Sequence, residues 1–153
     1  AVAAAGVAIS IRGAKSSLDE KTAPLAGLTA TFIFAVQMLN FPVAAGTSGH
    51  LLGAGLAAVL IGPYAATLAI TIVLILQALL FADGGLSALG LSVFNMSIVA
   101  VWVSYAIFLL VKKILPKTKS SVTAAAGVAA VISVPAAAAS FVLQYATVCE
   151  GAL

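Results

Sequence analysis

Charge is what this sequence has least of. Eleven of its 153 residues are acidic or basic, about 7%, where soluble domains carry roughly 25%. Against that scarcity stands a 63% hydrophobic content. A small soluble domain leaves a large fraction of its surface in water and cannot hide so many apolar side chains. A soluble enzyme, a nucleic-acid binder and a secreted scaffold are therefore excluded, and the solvent for most of the chain is lipid. The single cysteine, Cys149, excludes an internal disulfide. No GxxxxGK[ST] string is present, so any ATP hydrolysis coupled to this chain belongs to another one. The apolar runs lack the ten-residue alternation of a membrane barrel. An open strand edge has no place in hydrocarbon, which leaves helices.

The fold class that follows is all-α, a polytopic transmembrane helical bundle forming one membrane domain over residues 1–153. About six apolar segments are legible. Residues 1–11 form the tail of a helix that opens at Ala1 rather than at Met, and the chain stops at Leu153 without a polar tail, so a stretch is expected to be missing at each end. The charges of the first segment follow its apolar run, which is the reverse of a signal peptide. Residues 12–21 form a polar loop with five of the eleven acidic and basic residues. Segment two covers 25–40, with Pro24 in the first turn where proline is tolerated. Residues 41–49, FPVAAGTSG, read as an irregular or re-entrant loop. Segment three, 50–61, would reach only about 18 Å, against roughly 30 Å of hydrocarbon. Gly62-Pro63 breaks it. Segment four covers 64–81, and Ala82-Asp83-Gly84-Gly85 is a tight turn. Segment five covers 86–111, a basic loop follows at 112–121, and segment six covers 122–149 with Pro135 expected to bend it.

The seven Lys and Arg all fall in 12–21 and 112–121. Basic loops stay cytoplasmic. If each segment crosses once, both loops share one side, and 41–49 and the Asp83 turn share the other. The protein is expected to be a multi-pass membrane component. Gly49 and Gly53 form a GxxxG, and 124–130 and 136–139 are alanine-rich. Small residues of this kind let helix backbones approach in lipid, and packing is their ordinary use.

Few residues can carry chemistry. His50, the only histidine, opens segment three beside irregular backbone. An ionisable group at membrane depth is a functional candidate by default, though an interfacial imidazole can also simply hydrogen-bond. Imidazole suits nickel, cobalt, copper and zinc, but one imidazole does not hold a metal alone. The remaining donors are Asp83, Glu150, Cys149, Met38 and Met96, and each has a simpler reading as a turn, terminal or packing residue. Gln37, Asn40, Gln77 and Asn95 are polar groups in or at the ends of apolar helices, and each needs a partner.

Several strings are more specific. Residues 32–55, FIFAVQMLNFPVAAGTSGHLLGAG, resemble the signature of the CbiM/NikM family, the substrate-binding membrane subunits of energy-coupling-factor importers for cobalt and nickel. IGPY at 61–64 and QALLFADGGLSALGLSVFNM at 77–96 resemble the family's next two blocks. The resemblance implies a bundle of about seven helices and no enzymatic activity. It implies a planar nitrogen site for Co2+ or Ni2+, the metal being transported substrate and not a resident cofactor. The ligands implied are a Met-His N-terminus, which would precede Ala1, and the histidine of TSGH, here His50. Thr47, Ser48 and Asn95 resemble residues lining or bracing that site, with Gln77 and Asp83 as further candidates. The implied partners are a membrane coupling subunit, cytoplasmic ATPase subunits and a small accessory membrane subunit. The implied role is supply for cobalamin biosynthesis or nickel enzymes. The alternatives are a related subunit for an organic micronutrient such as a vitamin, or a membrane scaffold without a substrate.

Overall fold

The computed structural model describes residues 2–20, 22–39, 41–44, 47–49, 53–81, 85–114 and 118–150. Six α-helices dominate it: α1 (Val2–Ser17), α2 (Thr22–Gln37), α3 (Ala54–Leu80), α4 (Gly85–Ser92), α5 (Ala100–Ile114) and α6 (Lys119–Glu150). A π-helical segment, Val93–Val99, joins α4 to α5. Between α2 and α3 lie two short strands, β1 (Phe41–Ala44) and β2 (Thr47–Gly49).

The side-chain distribution is that of a membrane bundle. The core is built largely from alanine: Ala54, Ala57, Ala58, Ala66, Ala100, Ala125 and Ala129 are fully buried. Large apolar side chains point outward, including Leu28, Phe32, Ile72, Leu79, Leu110, Ile114, Val131 and Leu143. Small residues inside allow close helix approach, and large ones outside meet acyl chains. Residues 54–80, 86–114 and 119–147 are each long and apolar enough to cross a membrane.

The polar loop expected at 12–21 is shorter than the sequence suggests, because α1 continues to Ser17. Ala14 is buried and Gly13 lies against the Tyr64 ring, so the inner face of this turn still packs while Arg12 and Lys15 face outward. Long basic side chains can cover apolar surface with their stems and keep their charge in water, so they need not end a helix. The start of α2 is fixed by a reciprocal cap. Thr22 N donates to Asp19 Oδ1 and Asp19 N donates to Thr22 Oγ1, both at 2.8 Å. This satisfies two backbone donors at once.

The segment read as irregular pairs as an antiparallel hairpin. Phe41 faces Gly49 and Pro42 faces Ser48, with a shift of register between Pro42 and Ala44. Proline tolerates such an edge position because it has no N–H to give to a ladder.

Helix α3 is the centre of the fold, and it is not straight. Gly62 has φ 78° and ψ 165°, outside any helical region. A continuous helix of this length would span about 40 Å. Yet Gly53, at its start, packs on Ile33, and Gln77, near its end, hydrogen-bonds Gln37. Ile33 and Gln37 are only one turn apart on α2, so α3 must fold back at Gly62. Residues 54–61 form a short arm that runs down to the cluster of Phe108, Ala125 and Ala129, where Val59 packs. Residues 63–80 form the returning arm. It runs antiparallel to α5, with Tyr64 edge-on to Trp102 at 5.1 Å and Thr71 bonded to Ser97. The Gly62-Pro63 break expected from the sequence is present, and of the short third segment read as 50–61 the described part is helical from Ala54.

The two ends of the bundle differ in charge. Gly6 lies against Ile98 and Gly13 against Tyr64, beside Trp102, so α1 and α5 run in the same direction. Arg12 and Lys15 therefore share one end with Lys112, Lys113 and Lys119, all exposed. The opposite end carries the Gln37–Gln77 contact and, one turn below it on α2, the entry of the chain at Gly53.

Candidate functional site

The residues singled out in the sequence fall into three groups. His50 and Asp83 lie outside the described residues. Thr47 and Ser48 are in β2, where they pair with Ala44 and Pro42 respectively, and their side chains lie outside the description. Gln77 and Asn95 are described in full, and both are buried.

Gln77 sits on the returning arm of α3, at 3% exposure. Its Nε2 donates to Gln37 Oε1 at 3.0 Å, and Gln37 is 1% exposed. An unpaired amide in an apolar interior is costly, so each glutamine stabilises the other's burial. Nearby, the Phe34 and Phe81 rings lie 6.0 Å apart. Together these contacts tie the last turns of α2 and α3 together beneath the hairpin's point of attachment.

Asn95 lies in the π-helical segment. Its Nδ2 donates to Leu91 O at 3.1 Å, and its Oδ1 accepts from Gln144 Nε2 at 3.0 Å. Gln144 Nε2 also reaches Ser140 Oγ at 3.0 Å. The pair joins the π segment to α6. The π register widens the helix by one residue per turn, and Ala100 N bonds back to Asn95 O. Such segments are rare and occur often at functional positions. An open groove of about 420 Å³ lies beside this pair, lined by Val2, Ala3, Gly90, Leu91, Phe94 and Gln144. A second, of about 340 Å³, shares Leu91 and Gln144 with it. Both are mainly apolar: the first offers the Gln144 amide, and the second adds Tyr145 and Thr147 to it, with no carboxylate or imidazole among the described residues of either lining.

A further polar cluster was not anticipated. Ser97 Oγ lies 2.7 Å from Thr71 Oγ1, and Ser97 Oγ donates to Thr67 O at 2.8 Å. Thr67 Oγ1 donates to Pro63 O at 2.9 Å. That carbonyl lies just beyond the Gly62 break, so the hydroxyl steadies the first turn of the returning arm. The signal for this cluster was present as three hydroxyl residues inside apolar runs. Gln144, the partner of Asn95, carried the same kind of signal.

Gln77 pairs with Gln37 and Asn95 pairs with Gln144, and no hydrogen bond joins the two pairs among the described residues. No group of three or more His, Cys, Asp or Glu side chains that could hold a metal occurs among the described residues.

These features define a multi-pass helical membrane protein. A family model described as CbiM, the cobalt uptake substrate-specific transmembrane region, matches residues 1–151. The chain belongs to this family, a transport family of prokaryotic plasma membranes and not a family of enzymes. It is 41% identical over 102 residues to the fused nickel transport protein NikMN of Rhodobacter capsulatus, covering 67% of this chain and 29% of that protein. It is 42% identical over 102 residues to the cobalt transport protein CbiM of Anoxybacillus flavithermus, covering 67% of this chain and 41% of that protein. The chain thus spans less than half the length of these relatives. A crystal structure of a transition metal transporter matches it with a TM-score of 0.77 and 34% identity, covering 88% of this chain and 58% of that one.

Proposed function

We propose that this chain is the substrate-capture region of an importer for divalent cobalt or nickel. His50 contributes an imidazole nitrogen to the metal, and the remaining nitrogen donors come from the segment preceding Ala1. Thr47 and Ser48 brace the imidazole, with Gln77, Asn95 and Asp83 as supporting groups. The metal is cargo, bound for delivery. An energy-coupling membrane subunit, cytoplasmic ATPase subunits and a small accessory membrane subunit complete the importer.

One observation supports this reading above the others. The hairpin that carries Thr47 and Ser48 joins the short arm of α3, and that arm starts at Gly53 against Ile33. The described part of the hairpin thus lies in the chain between Leu39 and Gly53, which both belong to the end of the bundle opposite the exposed cations. There a basic bundle end would not repel an incoming cation. A planar set of nitrogen donors suits Ni(II) by coordination preference. Hydrogen bonds to the second imidazole nitrogen would fix its tautomer and orientation.

The test is His50→Ala in the full-length protein. Metal uptake by cells and nickel binding to the purified protein should both be lost, while membrane insertion stays normal. Uptake near the wild-type level would remove His50 from the site. Binding of a vitamin in place of either metal would favour the organic-substrate alternative.

A further inference from the structure

We propose that the lysine-bearing tips of α5 and α6 form a docking surface for an anionic phospholipid, whose phosphate is held by Lys112, Lys113 and Lys119 and whose acyl chains lie along α5. This surface is at the basic end of the bundle, and its use does not depend on what the chain transports.

Charge is unbalanced here more than anywhere else in the chain. Between Asp83 and Glu150 the sequence holds four lysines, at 112, 113, 117 and 119, and no acidic residue. The other basic stretch differs, since Arg12, Lys15 and Lys21 are accompanied by Asp19 and Glu20. Lys112 and Lys113 lie in the last turn of α5, Lys119 opens α6, and all three are exposed. Among the described residues none of the three has a carboxylate partner. Lys112 Nζ instead lies 5.7 Å from the centre of the Phe108 ring, one turn back on its own helix. A ring face attracts a cation without neutralising it, so the charge stays available to an anion. The first turn of α6 has no acid to offset the positive end of its helix dipole, which adds to the same sign.

The same surface is apolar as well as basic, and that selects the partner. Leu109 and Leu110 precede the lysines on α5, and Ile114 follows them. Residues three and four apart share a helix face, so Lys113 stands above Leu109 and Leu110, and Ile114 stands above Leu110. Leu109 is 46%, Leu110 61% and Ile114 80% exposed, and Ile114 is the most exposed large apolar side chain among the described residues. A soluble anion or an acidic protein surface would match the charge and leave these side chains uncovered. A phospholipid supplies both parts, a phosphate for the ammonium groups and acyl chains for the leucines and the isoleucine. Lysine suits such a boundary, because its methylene stem lies along apolar surface while its ammonium reaches the headgroups. Basic residues beside the cytoplasmic ends of membrane helices attract anionic lipid in this way.

The test uses the purified full-length protein in a neutral detergent, so that the direction of membrane insertion plays no part. The protein is titrated with phosphatidylglycerol, phosphatidylcholine and inorganic phosphate. Bound lipid is counted by mass spectrometry of the intact protein, and the thermal midpoint is followed alongside. Phosphatidylglycerol should bind and raise the midpoint, phosphatidylcholine should bind more weakly, and phosphate at equal concentration should have no effect. Lys112→Gln/Lys113→Gln/Lys119→Gln should lose about fivefold in phosphatidylglycerol affinity for each lysine replaced. If the triple variant fails to fold, Lys113→Gln alone should still lose about fivefold. Leu110→Ser/Ile114→Ser, which keeps every charge, should weaken the same lipid. Arg12→Gln/Lys15→Gln, in the stretch that carries its own acids, should lose far less. Wild-type affinity in whichever lysine variant folds overturns the proposal, and so does an equal loss in Arg12→Gln/Lys15→Gln, which would mark a diffuse field rather than a surface. Phosphate acting as strongly as the lipid, or unchanged affinity in Leu110→Ser/Ile114→Ser, also overturns it, since either would mark a site for a soluble or protein-borne anion.

Discussion

Gln77 and Gln37, forty residues apart, meet through a 3.0 Å hydrogen bond, and both side chains are buried. That contact closes the end of the bundle from which the hairpin departs. It also makes plain why α3 folds back, since a straight α3 would carry Gln77 far from the turn of α2 that Gly53 touches.

Breaking this pair from either side removes the same bond, so the two losses should not add. Gln77→Leu removes the hydrogen bond to Gln37 Oε1, a loss of about 0.5–1.5 kcal/mol. Thermal unfolding in detergent should show this as a lower midpoint. The double variant Gln37→Leu/Gln77→Leu should lose less than the sum of the two single losses, because both single variants remove the same hydrogen bond. A double variant that loses the sum of the two single losses would show that the amides do not act as a pair.

Gly62 should be the least replaceable of the uncrowded glycines. No atom lies within 4 Å of where its β-carbon would sit, so Gly62→Ala meets no steric obstacle from neighbours. Its φ of 78° and ψ of 165° instead fall in a region that is essentially glycine-only. Gly62→Ala should therefore destabilise by about 1–3 kcal/mol through the backbone alone. Gly127, inside α6 and equally uncrowded, makes the comparison. Gly127→Ala should stabilise by about 0.5–1 kcal/mol, since alanine is the better helix former. Equal effects at the two positions would remove the conformational argument.

Much of this architecture was legible in the sequence because lipid simplifies the reading. Apolar runs marked the helices, Gly62-Pro63 marked a break whose reversal of direction only the tertiary contacts reveal, and the distribution of lysine and arginine marked the two unlike ends. The extension of α1 through Arg12 and Lys15 was not legible. Charge signals a boundary only when it cannot reach water, and these side chains can. The π segment left no trace, because the apolar pattern of Val93–Val99 does not distinguish one helical register from another. The candidate polar residues were visible singly, as Gln37, Gln77 and Asn95, but their partners depended on tertiary approach. Gln144 was overlooked although it interrupts an apolar run in the same way as Asn95. The family resemblance was carried by TSGH and its surrounding blocks, which no argument from periodicity would have separated from an ordinary helix-breaking loop.

The orientation of the bundle in the membrane follows from its charge and can be tested directly. The ends of α1, α5 and α6 that carry Arg12, Lys15, Lys112, Lys113 and Lys119 lie together. The sequence places all seven basic residues in 12–21 and 112–121, accompanied by only two acidic ones, Asp19 and Glu20. The other two acids, Asp83 and Glu150, fall elsewhere in the chain. Lysine and arginine excess near helix ends holds a loop on the cytoplasmic side. The hairpin end, opposite, should then face outward, where a cation would arrive. Single cysteines at Ser16, Ser120 and Leu39, in a Cys149→Ser background, mark the two ends, and all three positions are exposed. An impermeant thiol reagent applied to intact cells should label the cysteine at position 39. It should reach positions 16 and 120 only after the membrane is permeabilised. Labelling of 16 and 120 in intact cells, with 39 protected, would invert the bundle and put the TSGH string on the cytoplasmic side, where it could not capture a metal for import.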